Sequence, residues 1–403
     1  MIVVVLAAAG GYTGWALTAP LSAPAATAQT PAAPKPAAAV ALALPAEGSA
    51  ALSVSGGDDY LGADAGGIWA ASGSADPRSI ASISKLITAL VVLEAKPLAS
   101  ADDPGPTITF GKAAHDLYDK YYVMGATIMP MPIGTTMSER DALATMLIPS
   151  ACNYAEAVAT WAFGSQGAFL SAARTWLAAN GLTATTLVEP TGISPRNTST
   201  PADLIAIGKI AAANPVIAKI AATQSLSVPG AGGMSNTNDL LGTGGVTGLK
   251  MGNLGDGAFN LLYTASLDVG AAQPLAVTGV MLGGATHDSV NQDVLRLLDS
   301  IRAGFHTVPL ATRGQRLGSF TTAWGSTAGL VVGADAEIFT WSDTPITVTM
   351  TTTTPVEYEE GEVVGSITWT AGPNTATAPV VIEGSIRPPT SWWRLTHPAE
   401  LGG

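Results

Sequence analysis

The chain has 403 residues, of which 47% are hydrophobic and only 12% are charged. This length and composition allow more than one sizeable core and argue against a largely disordered protein. The formal net charge of -12, with 18 lysines and arginines, argues against a nucleic-acid partner, because phosphate contacts need clustered basic side chains.

Residues 1–19 form an uncharged apolar run that predicts a signal peptide or a membrane anchor. The run is near the lower length limit for a membrane span, and Ala26-Thr27-Ala28 offers a small-residue cleavage site. A removed signal, a retained anchor and a buried core helix all stay open, and the first two predict an exported, extracytoplasmic protein. Residues 20–47 are rich in alanine and proline, which predicts an extended linker.

Residues 48–305 alternate between strand-like and helical stretches. A strand is expected at 67–71, followed by a helix that starts near Pro77 and Ser79, contains Ser82 and ends at Lys96-Pro97. Further helices are predicted at 138–148, 153–163, 168–179, 201–213 and 288–303, and strands at 248–250, 259–265 and 275–282. This order predicts an α/β sandwich with an inserted helical lobe.

Residues 306–403 show only strand patterns. Apolar and threonine positions alternate over 346–351, and the stretches 363–370 and 377–382 flank the turn 371–374. We expect a small all-β C-terminal domain.

Ser82 and Lys85 form an S-x-x-K tetrad inside an apolar helical stretch. Residues at i and i+3 share a helix face, so the hydroxyl and the amine can meet. Burial disfavours a charged amine and lowers its pKa, which leaves a base able to take the serine proton near neutral pH. The tetrad therefore predicts a nucleophile and its base, although a lysine extending from a helix flank fits the same four residues.

Other catalytic classes have weaker support. No G-x-S-x-G stands between a strand and a helix, and the four histidines show no metal-ligand spacing, so neither a Ser-His-Asp hydrolase nor a zinc enzyme is expected. We expect no metal and no cofactor. The single cysteine, Cys152, excludes an internal disulfide.

Three ordered motifs carry a family resemblance: Ser82-Ile83-Ser84-Lys85, then Pro149-Ser150-Ala151 ahead of Asn153, and Gly248-Leu249-Lys250 ahead of Gly252. Their order and separation resemble S-x-x-K, S-x-N and K-T-G of the serine D-alanyl-D-alanine carboxypeptidases, the low-molecular-mass penicillin-binding proteins. The likeness spans about residues 48 to 398 and implies the α/β sandwich shared by β-lactamases and transpeptidases.

The resemblance implies roles for the motif residues. Ser82 would attack the carbonyl between two terminal D-alanines, Lys85 would accept its proton, and Ser150 would relay a proton to the leaving amine. Lys250 would hold the substrate carboxylate, Gly252 would let the peptide lie along the strand edge, and the N–H groups of Ser82 and Asn253 would form the oxyanion hole. The implied substrate is the peptidoglycan stem peptide, and the implied inhibitors are β-lactams.

Two motif positions depart from the family pattern. Cys152 stands where the family has asparagine, with Asn153 one place late, and a thiol cannot replace the donor and acceptor pair of an amide. Met251 stands where K-T-G has threonine, so the hydroxyl that would bind the substrate carboxylate is missing. Lys250, Met251, Gly252, Asn253, Cys152 and Asn153 are the expected substrate-binding residues.

Three functions therefore stay open at this point. The first is an active carboxypeptidase with altered specificity or reduced rate, which we favour because Ser82, Lys85, Ser150 and Lys250 are all present. The second is a degenerate relative that binds the cell wall without turnover. The third is a β-lactamase, although no motif identifies a deacylating base and Glu156 reads equally well as an ordinary helix residue.

Overall fold

The computed structural model describes residues 2–255 and 257–402. The chain divides into two compact units, one formed by Val40–Gly304 and the other by Met1–Ala39 with Phe305–Gly403. The α-helices are α1 Ile2–Thr18, α2 Asp58–Leu61, α3 Ser84–Ala95, α4 Lys112–Val123, α5 Glu139–Leu147, α6 Cys152–Phe163, α7 Gln166–Ala179, α8 Pro201–Ala213, α9 Pro215–Ala221, α10 His287–Gly304 and α11 Ser391–Thr396. Short 3-10 helices cover Ala63–Gly66, Ala81–Ile83 and Pro398–Glu400.

The strands in chain order are β1 Ala25–Ala28, β2 Ser49–Ser55, β3 Ala70–Gly73, β4 Arg78–Ser79, β5 Thr107–Phe110, β6 Thr135–Ser138, β7 Thr198–Ser199, β8 Ser225–Val228, β9 Gly232–Ser235, β10 Val246–Asn253, β11 Phe259–Leu267, β12 Leu275–Gly284, β13 Phe305–Ala311, β14 Arg316–Thr321, β15 Thr327–Val332, β16 Ala336–Trp341, β17 Thr347–Thr352, β18 Val363–Ala371 and β19 Asn374–Glu383.

A five-stranded antiparallel sheet of order β10-β11-β12-β2-β3 forms the centre of the Val40–Gly304 unit. Leu261, Leu262 and Tyr263 are consecutive on β11 and all fully buried. Because neighbouring residues on a strand point to opposite faces, both faces of this sheet are covered. Helix α8 packs against β2, β11 and β12, and α10 packs against β11 and β12.

The helical lobe lies in sequence between α3 and β7 and contains α4, α5, α6 and α7 with the antiparallel pair β5 and β6. Helix α5 begins where Ser138 Oγ accepts a hydrogen bond from the Asp141 N–H at 3.0 Å, and α8 begins where Thr200 Oγ1 accepts from Asp203 N–H at 3.2 Å. These caps satisfy backbone donors that the first helical turn leaves unpaired. They fix where α5 and α8 begin.

The other unit contains a six-stranded sheet of order β1-β14-β15-β19-β18-β17 and the β13–β16 pair. Trp369 on β18 is fully buried in its core. Within the alanine- and proline-rich segment, β1 pairs with β14, an element that the composition does not predict. Helix α1 contacts α11, where the Tyr12 hydroxyl donates to the Leu395 carbonyl at 2.6 Å.

Within the described ranges, no single helix is both long and apolar enough to cross a bilayer. The pair α8 and α9 has that length and composition only when taken together, and it is bent by 98°.

The predicted helices at 138–148, 153–163, 168–179, 201–213 and 288–303 are all present with bounds within two residues. The strand expected at 67–71 instead covers Ala70–Gly73, because Ala63–Gly66 form a 3-10 turn and the chain straightens only afterwards. The helix expected from Pro77 begins later, with a 3-10 turn at Ala81–Ile83 that continues as α3 from Ser84. Strand β2 and helix α4 were not predicted.

Candidate active site

A cleft of about 430 Å³ opens in the Val40–Gly304 unit beside the start of α3. Three segments that are distant in sequence meet there: the Ser82 turn, the loop between α5 and α6, and the end of strand β10. The cleft-lining residues are Ser82, Met124, Gly125, Ala126, Thr127, Ser150, Cys152, Gly192, Ile193, Thr237, Met251, Gly252, Asn253 and Leu254. None of these lining side chains carries a charge.

Ser82 lies in the 3-10 turn that leads into α3, after Ala81, whose φ is +48°. A positive φ is unfavourable for alanine, so tertiary packing must hold this turn. Two glycines allow that packing. A Cβ at Gly192 would lie 1.9 Å from the Ala81 carbonyl oxygen, and a Cβ at Gly252 would lie 2.7 Å from the Ile80 carbonyl oxygen. Both segments therefore press directly against the backbone that presents Ser82.

Lys85 is fully buried, and its Nζ lies 3.0 Å from Ser82 Oγ. The same amine donates to the Thr191 carbonyl at 2.6 Å and contacts Cys152 Sγ at 3.5 Å. Burial lowers the pKa of Lys85, and Cys152 and Glu189 partly oppose this effect. The structure thus brings Ser82 and Lys85 together and supplies the low-dielectric surroundings that favour a neutral amine.

The loop between α5 and α6 contributes Ser150 and Cys152. Ser150 has a φ of +70°, is 7% exposed, and its Oγ has no hydrogen-bond partner among the described residues. Buried hydroxyls rarely stay unpaired, so this oxygen is available to a group that enters the cleft. Cys152 lies next to Lys85, at the motif position where the family resemblance implies an asparagine.

Lys250 lies on β10 and is 2% exposed, with its Nζ donating to Thr237 Oγ1 at 3.1 Å. Burial and the nearby charge of Lys85 lower the pKa of Lys250 to about 7, and Cys152 acts weakly in the opposite direction. The next residue, Met251, lines the cleft. Thr237 follows strand β9 and lies outside the three motifs, so the sequence did not assign it to the site.

Gly252 and Asn253 line the cleft as expected, whereas Asn153 does not. The Asn153 side chain is fully buried and pairs with the backbone of Met129, accepting from its N–H at 3.1 Å and donating to its carbonyl at 2.8 Å. With both amide groups used in this way, Asn153 fixes the segment around Met129. Its contacts do not support the expected role in substrate binding.

Two further observations bear on the alternatives. Glu156 accepts hydrogen bonds from Lys120 and from the Tyr121 hydroxyl, both at 2.5 Å, and does not line the cleft. In residues 2–255 and 257–402, no group of three or more His, Cys, Asp or Glu side chains is placed to hold a metal ion. The reactive groups at the cleft are the hydroxyls and the thiol that line it and the two amines that contact them.

Comparison with protein families gives one match: a sequence model described as D-alanyl-D-alanine carboxypeptidase matches residues 60–280, more than half of the chain. Comparison of the sequence with curated proteins returns no significant match.

Several solved structures share the fold. Penicillin binding protein 6B from Escherichia coli aligns with a TM-score of 0.57 at 21% identity, covering 87% of this chain and 96% of its own. Penicillin binding protein 5 from Haemophilus influenzae aligns with a TM-score of 0.55 at 20% identity, covering 85% and 99%. The Streptomyces K15 DD-transpeptidase aligns with a TM-score of 0.53 at 22% identity, covering 64% and 98%.

These alignments confirm the predicted fold class, a mixed helix and sheet domain with an inserted helical lobe followed by a strand-rich C-terminal region. The family match confirms the resemblance that the three motifs indicated.

The buried Lys250 makes a prediction about stability. Its pKa of about 7 in the folded chain lies below the ordinary 10.5, so between these values the unfolded chain binds a proton that the folded chain has released. Lys250 therefore makes stability increase as pH rises through this window, by at most ~1.4 kcal/mol per pH unit. We expect Lys250→Met to flatten the increase, measured as the free energy of urea unfolding at pH 7, 8, 9 and 10.

Lys112→Met is the matched control, because the Lys112 side chain is 76% exposed and only pairs with Asp116 on the surface. Its stability should follow the wild-type pH dependence. Parallel curves for Lys250→Met and wild type would show that Lys250 keeps an ordinary pKa.

Proposed function

The chain belongs to the D-alanyl-D-alanine carboxypeptidase family of serine hydrolases, and from this premise we propose that it is an exported carboxypeptidase that removes the terminal D-alanine of peptidoglycan stem peptides through an acyl-enzyme. The observation that carries the proposal is the buried Lys85 amine, 3.0 Å from Ser82 Oγ in an open cleft. A base within hydrogen-bond reach of a hydroxyl is the requirement for nucleophilic attack by serine near neutral pH.

In the acylation step, neutral Lys85 accepts the proton of Ser82 while Ser82 Oγ bonds to the carbonyl carbon of the penultimate D-alanine. The carbonyl π electrons move onto oxygen, where the N–H groups of Ser82 and Asn253 would donate to the oxyanion. Each such donor contributes about 3 kcal/mol of barrier reduction in enzymes where it has been removed. Collapse of this intermediate breaks the peptide C–N bond.

Ser150 would deliver a proton to the departing amine, so that D-alanine leaves as a neutral amine and Lys85 recovers its neutral form. The buried Ser150 Oγ lines the cleft and has no hydrogen-bond partner among the described residues, which leaves it free to bind the departing amine. Water then attacks the ester, with Lys85 as the base, and frees Ser82. A β-lactamase would need a carboxylate to activate this water, and the described residues that line the cleft include none. Glu189 is half-buried, and its carboxylate already accepts hydrogen bonds from backbone and side-chain donors.

Substrate recognition is the part of the site that departs from the family. Lys250 would bind the terminal carboxylate of the substrate, helped by the Thr237 hydroxyl at 3.1 Å from its amine. Met251 supplies no hydroxyl for the same carboxylate, and loss of one charge-assisted hydrogen bond costs roughly 1.5 to 3 kcal/mol. We therefore expect slow turnover and altered specificity rather than an inactive cleft.

Cys152 keeps one function of the expected asparagine, since its sulfur accepts a contact from Lys85 at 3.5 Å. It supplies no amide donor for the substrate backbone.

Export is proposed from the apolar residues 1–19, which would act as a cleaved signal or as a membrane anchor. Residues 20–47 would then be the linker, residues 48–305 the catalytic domain and residues 306–403 the C-terminal β domain. Assembled peptidoglycan lies outside the cytoplasmic membrane, so this location agrees with the proposed substrate. β-Lactams, which mimic the acyl-D-Ala-D-Ala strand, would acylate Ser82 as inhibitors.

The direct test is release of D-alanine from a stem pentapeptide, together with covalent labelling by a fluorescent penicillin. We expect both in the wild-type chain and neither in Ser82→Ala, because the nucleophile is then absent. Ser53→Ala is the matched control, since Ser53 on β2 is also buried, its hydroxyl donates to the Gly66 carbonyl at 3.2 Å, and it lines no part of the cleft.

Other outcomes identify the alternative functions. A folded wild-type chain that takes up no label and releases no D-alanine would favour a cell-wall-binding relative without catalysis. Rapid hydrolysis of the penicillin with no lasting label would favour a β-lactamase.

Met251→Thr makes a separate prediction. Restoring the hydroxyl should raise kcat/KM for D-alanine release by about tenfold, as expected for one hydrogen bond to a carboxylate. Met251→Leu, which keeps the bulk and adds no hydroxyl, should stay near the wild-type value. Equal or lower activity of Met251→Thr would mean that the cleft is adapted to methionine.

A further inference from the structure

Glu189 organises the loop that follows the helical lobe. Its carboxylate accepts hydrogen bonds from Thr191 N–H, the Thr191 hydroxyl and Gly192 N–H, each at 2.7 Å. It also accepts from Asn197 Nδ2 at 3.0 Å and from Ser194 N–H at 3.2 Å. Five donors on one carboxylate fix the backbone between residues 189 and 197 far more tightly than an ordinary surface loop.

This loop is anchored to the helix that carries Lys85. Thr88 Oγ1 donates to the Pro190 carbonyl at 2.7 Å, and Asn197 Nδ2 donates to Ser84 Oγ at 3.0 Å. At Gly192 the loop touches the Ala81 backbone so closely that no Cβ could be accommodated. The loop therefore has one position relative to Ser82 and Lys85.

The loop presents one atom to the catalytic pair, the Thr191 carbonyl oxygen, 2.6 Å from Lys85 Nζ. A neutral lysine amine has two N–H groups and one lone pair. The Thr191 carbonyl can accept one N–H, and Cys152 Sγ, at 3.5 Å, can accept the other. The lone pair then faces Ser82 Oγ, which is the orientation that proton transfer requires.

Glu189 also acts on Lys85 through its charge. Burial lowers the pKa of Lys85, while Cys152 and the Glu189 carboxylate both oppose that effect. The remaining charged neighbour is Lys250, whose own pKa is lowered in part by Lys85. The charged and titratable groups that face Lys85 are thus Cys152, Glu189 and Lys250.

We propose that Glu189 is a positioning residue of the reaction: its carboxylate holds the loop 189–197 so that the Thr191 carbonyl directs the Lys85 amine toward Ser82. This inference rests on the proposed function of the same site. It assigns a task to a residue that touches neither the substrate nor the reacting atoms, and that none of the three motifs contains.

Glu189→Gln and Glu189→Asp test the proposal in the full-length chain. Glutamine keeps the size but loses the charge and half of the acceptors, so we expect kcat for D-alanine release to fall roughly 10- to 100-fold, as for a misplaced catalytic group. We also expect the acidic limb of the pH profile of kcat/KM to move to lower pH, because a carboxylate that favours the charged amine is gone. Aspartate keeps the charge, so its profile should stay near wild type while kcat falls less.

Asp203→Asn is the control, because the Asp203 carboxylate also organises a nearby turn but does not act on Lys85. It accepts hydrogen bonds from Ala184 N–H at 3.0 Å and from Thr185 Oγ1 at 2.8 Å. It should lower stability without moving the acidic limb. A readout without turnover is the pH titration of the Lys85 signal in ¹³Cε-lysine-labelled protein, identified with Lys85→Met. This signal should titrate at lower pH in Glu189→Gln than in wild type.

Three results would overturn the proposal: a folded Glu189→Gln chain with wild-type kcat, a reduced kcat with both the acidic limb and the Lys85 titration unmoved, or the same shift in Asp203→Asn. A wild-type chain that releases no D-alanine would instead contradict the proposed function. The Lys85 titration would then decide the role of Glu189 by itself.

Discussion

The structure depends on one contact, between the fully buried amine of Lys85 and the hydroxyl of Ser82, 3.0 Å apart. An ammonium group is poorly solvated inside a protein, so this position favours the neutral amine, which is also the form that can accept a proton. The surrounding elements keep the pair in place. Helix α3 carries the lysine, and the glycines at 192 and 252 let a loop and a strand pack against the serine turn. Burial of Lys85 costs free energy because it disfavours the charged ammonium. The same burial favours the neutral amine, which is the form that can act as a base.

Two buried lysines contact residues that line this cleft, and their roles follow from their different partners. Lys85 contacts a hydroxyl, a carbonyl and a thiol, which suits a base, whereas the polar contact of Lys250 is the Thr237 hydroxyl, which leaves its charge for a carboxylate in the cleft. Burial lowers the pKa of Lys250 to about 7, and a positive charge on Lys85 contributes to the same shift. A substrate carboxylate would favour the charged form of Lys250. Binding and base catalysis can then operate together in a cleft whose described lining side chains are uncharged.

The sequence predicted the parts of this arrangement that depend on local spacing. The i and i+3 positions of Ser82 and Lys85, the helical patterns over 138–148 and 201–213, and the alternation in the C-terminal strands are all local signals. The parts that were missed depend on tertiary contacts. Strand β2, with the sequence Ser-Ala-Ala-Leu-Ser-Val-Ser, has small and polar residues that become buried only because neighbouring strands pair with it. The Thr191 carbonyl is a backbone atom without a sequence signature, and Asn153 was assigned to the cleft although its amide pairs with Met129.

The most direct test of the central contact is replacement of Lys85 by arginine, which retains a positive charge at all accessible pH values and so cannot act as the base. The measurement is intact-mass spectrometry of folded protein after exposure to benzylpenicillin. We predict that the wild-type chain gains the mass of one penicillin molecule on Ser82, and that Lys85→Arg, with a circular dichroism spectrum like that of wild type, stays unmodified over the same time. Acylation of the arginine variant at the wild-type rate would contradict the account, because Ser82 would then be activated without a neutral amine beside it.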